Sequence, residues 1–71
     1  MKTIDVCGLS CPEPVVRTLA ALKTLAAGEA LGVLADSATA RDNVVRTAGK
    51  EGCEVTVTSE GAQFRLTLTK R

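Results

Sequence analysis

The sequence predicts an α/β two-layer sandwich in the order βαβαββ, a four-stranded mixed sheet with two helices on one face. Three observations lead there. Two segments carry apolar residues at helical spacing, and two segments near the C-terminus alternate apolar and polar residues as half-buried strands do. The third is size: 71 residues, 45% of them hydrophobic but with one Phe and no Trp or Tyr, suit a thin fold filled by Val, Leu and Ala. Residues 1–71 are expected to form one domain.

Each element follows in turn. "TIDV" puts Ile4 and Val6 on one face of a short strand with Asp5 opposite, and Gly8 breaks the run. "PEPVVRTLAALKTLAA" spaces Val15, Leu19, Leu22 and Ala26 as a helical stripe, with Gly28 as its C-terminal stop. "EALGVLA" is apolar without alternation, as expected for a strand covered by neighbours in its sheet or by the helix layer. The second helix is expected from Thr39 to Glu51, with Ala40, Val44, Val45 and Ala48 inward, Gly52 ending it and Ser37 or Thr39 capping its start. "CEVTVTS" and "QFRLTLTK" then form an antiparallel hairpin around Glu60 and Gly61. Cys53, Val55 and Val57 share one face of the first strand, and Phe64, Leu66 and Leu68 one face of the second. The other sheet face carries Thr56, Thr58, Arg65, Thr67 and Thr69 and stays wet. A helix between the first two strands implies that they are parallel, with a right-handed crossover.

Composition excludes several functions. The net charge is +1 with scattered basic residues, which gives no electrostatic grip on nucleic acid, and a single aromatic residue provides no stacking platform. No apolar run has membrane length and no secretory leader opens the chain, so membrane insertion is not expected and the cytoplasm is the expected location. Three cysteines, an odd count, suit a reducing compartment. Histidine is absent, which removes the usual general base and metal ligand; no metal and no cofactor are expected.

The chemistry therefore points to cysteine, and to "GLSCPEPVV" in particular. If the helix begins at Pro12, Cys11 is its N-cap and Pro12 its first residue, where a missing N–H is harmless; Pro14 still lies in the first turn. The free N–H groups of Glu13 and Val15 and the positive end of the helix dipole would stabilise a Cys11 thiolate and lower its pKa. The Glu13 carboxylate opposes that effect. Functional loops collect at the carboxyl ends of parallel strands, so the Cys7–Cys11 loop and the Asp36–Thr39 loop are expected together, with Arg41 as a cationic neighbour of Cys11 or a solvated partner of Asp42 or Asp36. Gly8 is expected to need an unusual φ. Cys7 is either a small side chain at a strand end or a resolving thiol, and Cys53 is expected to fill the core.

"DVCGLSCPEP", followed by "VV", "GEALGVLAD" and "TARDNV", resembles the TusA/SirA sulfur-carrier family, including the N-terminal domain of the YedF selenium-metabolism proteins. The family pattern of an acidic residue, Gly-Leu and Cys-Pro-x-Pro falls on Asp5, Gly8, Leu9, Cys11, Pro12 and Pro14. The resemblance implies a βαβαββ sandwich that accepts sulfur as a persulfide on Cys11, with Arg41 at a basic position of the family. It also implies two partners, a sulfur-donor protein of the cysteine desulfurase or rhodanese type and a sulfur-acceptor protein. Such a chain acts as a sulfurtransferase cosubstrate rather than a self-sufficient enzyme. Cys7 departs from the pattern. A dithiol redox protein using Cys7 and Cys11, and a regulatory module that binds a partner without covalent chemistry, are the alternatives.

Overall fold

Alternation along the strands decides which residues meet the helices. In the computed structural model, which describes residues 2–9 and 12–71, the elements are β1 (Lys2–Asp5), α1 (Glu13–Leu22), β2 (Ala30–Ala35), α2 (Ala38–Lys50), β3 (Glu54–Glu60) and β4 (Gln63–Thr69). The sheet order is β1-β2-β4-β3, with β1 parallel to β2 and β4 antiparallel to both β2 and β3. Both helices cover one face, giving the two-layer sandwich expected from the sequence. Val33 lies between Ile4 and Leu66, and Leu31 between Lys2 and Leu68. Leu31, Val33, Leu66 and Leu68 are fully buried with Val6 and Val44. Burying each such side chain contributes about 1.5–3 kcal/mol, so these six form the centre of the core. No helix among the described residues is long and apolar enough to cross a membrane.

The first helix differs from its sequence expectation in two ways. Its buried residues are Pro14, Thr18, Ala21 and Leu22, a stripe rotated from Val15, Leu19, Leu22 and Ala26. Thr18 can take a core position because its hydroxyl donates to the Pro14 carbonyl at 2.7 Å, leaving no unsatisfied polar atom. The helix also ends at Leu22, well before Gly28. Two tighter turns follow, with the Thr24 N–H on the Ala21 carbonyl and the Leu25 N–H on the Leu22 carbonyl, both at 3.1 Å. Lys70 holds them from across the fold, its Nζ donating to the Leu22 and Leu25 carbonyls at 3.1 and 2.9 Å. Gly28 instead donates its N–H to the Lys70 carbonyl at the entry to β2.

The second helix keeps its expected inward face, with Ala40, Val44 and Ala48 buried. Ser37 is its cap, the hydroxyl accepting from the Ala40 N–H at 3.1 Å. At its other end the Cys53 N–H reaches the Ala48 carbonyl and the Gly52 N–H the Gly49 carbonyl, a Schellman closure that needs the left-handed Gly52 at φ +78°. That closure turns Cys53 back onto the core, where it is half-buried rather than enclosed. Beyond it β3 is an edge strand, and Val57 on its inner face is 43% exposed.

Candidate functional site

The carboxyl ends of β1 and β2 meet the start of β4, and a small polar cluster forms there. Two carboxylates hold the loop that leaves β1. Asp5 Oδ1 accepts from the Cys7 N–H at 2.8 Å, and Asp36 Oδ2, just past β2, accepts from the Gly8 N–H at 3.1 Å. The Leu9 N–H bonds the Val6 carbonyl at 3.3 Å and completes the turn. Gly8 has φ +76° with open space where a Cβ would stand, so the backbone conformation is what requires glycine there.

These bonds also set the acid–base behaviour of the loop. The Cys7 N–H holds the Asp5 carboxyl below its ordinary pKa. For Cys7 the direction is opposite: burial, then the Asp5 carboxylate, then the charge of Asp36 push the thiol up to about 11. At neutral pH roughly one Cys7 in ten thousand is then thiolate. Gln63, on β4, donates its Nε2 to Cys7 Sγ at 3.5 Å.

The start of α2 contributes Arg41, half-buried, with its guanidinium 4.6 Å from the centroid of the Phe64 ring. Its Nε donates to Asp42 Oδ1 at 3.0 Å. Of the two pairing partners expected from sequence, Asp42 is the one used; Asp36 is engaged with Gly8. On α1, Glu13 pairs with Arg17 at 3.6 Å, and both side chains are exposed.

Helix α1 begins one residue later than expected. Pro12 is the N-cap, its carbonyl accepting from the Val16 N–H at 3.0 Å, and Pro14 lies in the first turn. The assignment of the cap to Cys11 is therefore corrected: the helix runs from Glu13, and Pro12 ahead of it is the cap whose carbonyl accepts the Val16 N–H. Cys11 itself lies outside the described residues. So does its relation to Arg41. Cys7, Gly8, Pro12, Glu13, Pro14 and Arg41 are all described. Cys7 and Gly8 lie with Asp36, Gln63, Phe64 and Arg41 at this end of the sheet. Sequence reasoning missed Phe64 and Gln63 here. Phe64 read as a core residue, and only the register Ala35↔Phe64 brings it to the end of β2. Among the described residues no group of three or more His, Cys, Asp or Glu side chains could hold a metal.

A parallel β1–β2 pair, loops tied together at the strand ends and a Cys-Pro-x-Pro segment opening α1 define a small thiol-bearing α/β sandwich. The comparisons agree. The family described as Sulfurtransferase TusA matches residues 2–70, and the chain belongs to that family. A candidate sulfur carrier protein of Methanocaldococcus jannaschii is 39% identical over 71 residues, covering 99% of this chain and 95% of the relative. Another, from Halobacterium salinarum, is 46% identical over 61 residues, covering 84% and 75%. The crystal structure of a SirA-like protein from Desulfitobacterium hafniense superposes with a TM-score of 0.87 at 33% identity, covering 96% of this chain and 95% of that one.

Proposed function

We propose that the chain carries sulfur as a persulfide on Cys11, taking it from a donor of the cysteine desulfurase or rhodanese type and passing it to an acceptor protein. The observation that carries this reading is the position of Pro12 as N-cap, which makes the motif cysteine the residue directly ahead of a helix N-terminus. The N–H groups of a helix's first turn and the helix dipole favour an anion at its N-terminus. Family membership and the candidate carriers among the relatives supply the class of cargo. Cys7 is a poor site for the first attack on a donor, because burial and the Asp5 and Asp36 carboxylates push its thiol up to about 11. Intact mass after incubation with a cysteine desulfurase and cysteine tests the reading. One or more added sulfur atoms, removed by reductant, are expected; an unchanged mass with each donor type rejects it.

Arg41 is the recognition residue in this proposal. Partly buried on Phe64 and with its Nε on Asp42, it holds a guanidinium at the end of the sheet where the Cys7–Gly8 turn lies. Charge of this kind speeds encounter with an acidic partner surface and is screened by salt. Arg41→Glu is expected to slow transfer and flatten its salt dependence. The fold should hold, since the ring contact contributes only about 0.5–1 kcal/mol at an accessible site. Transfer rates that match the parent chain across a salt series would remove Arg41 from the site.

A further inference from the structure

A carried persulfide can be lost to a neighbouring thiolate in its own chain, and this chain has a second cysteine four residues before Cys11. We infer that Asp5 and Asp36 form a guard on Cys7, holding it as a thiol so that it does not discharge the sulfur carried by the protein. The inference rests on the persulfide reading above.

The reaction to be prevented needs no outside oxidant. A Cys7 thiolate attacking Cys11 Sγ would form a Cys7–Cys11 disulfide and break the persulfide S–S bond. The electron pair of that bond leaves with the outer sulfur as hydrosulfide, and Cys7 has already given its proton to solvent. Cys7 sulfur is oxidised by as much as the outer sulfur is reduced. Only the thiolate attacks at a useful rate, so the protonation state of Cys7 sets the leak.

The geometry suits a guard. Asp5 and Asp36 approach the same turn from two strands and grip consecutive N–H groups, Cys7 at 2.8 Å and Gly8 at 3.1 Å. Their charges are thereby fixed beside Cys7 rather than left on mobile side chains. From β4 the nearest polar group is the neutral Gln63 amide, which donates to the sulfur and only partly offsets them. From α2 the cation at this end, Arg41, is paired with Asp42. A thiolate at Cys7 would thus be partly buried and would face the carboxylates of Asp5 and Asp36, and its elevated pKa has those causes in that order.

Asparagine separates charge from shape, since its side-chain oxygen can still accept from the same N–H groups. In a chain carrying Cys11→Ser and Cys53→Ser, adding Asp5→Asn and Asp36→Asn should raise the iodoacetamide rate of Cys7 at pH 8 by roughly tenfold or more, the effect of one pKa unit or more. Each single asparagine should give an intermediate rate. In the chain with all three cysteines, loaded by a desulfurase and desalted, the double asparagine variant should release hydrosulfide faster and accumulate an intramolecular disulfide. A further Cys7→Ser should abolish that increase. Equal Cys7 alkylation with and without the carboxylates overturns the guard, as does faster release that survives Cys7→Ser. Circular dichroism confirms that the variants compared are folded, and the single variants serve if the double one is not. If the parent chain takes up no sulfur, the persulfide reading fails instead, while the alkylation series still tests the guard.

Discussion

Replacing Cys11 with serine is expected to abolish sulfur acceptance while shifting stability by no more than about 1 kcal/mol, the usual scale of changes at a helix start. A hydroxyl cannot form a persulfide, so the functional effect is complete rather than graded. The sequence alone suggests a further gain, because serine caps helices better than cysteine. That gain is not expected now, since Pro12 and not residue 11 is the N-cap of α1. Cys53→Ser is the matched control. Cys53 is half-buried at the Schellman closure of α2, at the far end of that helix from Arg41, so the variant should load sulfur normally per folded molecule. Intact mass and a thermal melt on both variants check the pair. Loading of the Cys11→Ser chain at the parent stoichiometry would move the chemistry to another cysteine, and its unfolding would make Cys11 a structural residue.

The parts of the fold that were legible in the sequence are those fixed by local pattern. Leu66 and Leu68 alternate with Arg65, Thr67 and Thr69, and the strand they predict pairs as expected. The Gly-x-x-Cys-Pro-x-Pro segment locates the loop and the start of α1 to within one residue because proline restricts its own φ and its neighbour's. What was not legible depends on residues far apart in the chain. Nothing near Leu22 announces that the helix stops there, since the lysine that holds its carbonyls is Lys70. Thr18 looks polar until its hydroxyl is seen on the Pro14 carbonyl. The cluster at the strand ends follows the same division. Asp36 could be placed by the rule that sites gather at the carboxyl ends of parallel strands, whereas Gln63 and Phe64 arrive only through the register of β4 against β2.

The largest expected loss of stability is at Leu66. It is fully buried on β4, directly opposite Val33 of β2 on one side and Val57 of β3 on the other. Truncation to alanine removes its transfer free energy and leaves a cavity that a rigid sheet cannot close, a loss of about 2–5 kcal/mol. A domain of 71 residues has a total stability of roughly 4–11 kcal/mol at the usual value per residue, so the variant should be partly unfolded or close to it. Val57→Ala is the comparison that isolates burial. Val57 sits on the same face and faces Leu66 across the hairpin, but it is 43% exposed on an edge strand, so its truncation should cost less than about 1 kcal/mol. Urea denaturation at equal m-value measures both. Equal midpoints for the two variants would mean that the core does not centre on β4. With Leu66→Ala lower by the expected margin, sulfur acceptance per folded molecule should still match the parent chain, because Leu66 is two residues farther along β4 than Phe64 and takes no part in the hydrogen bonds that Asp5, Asp36 and Gln63 make to the Cys7 loop.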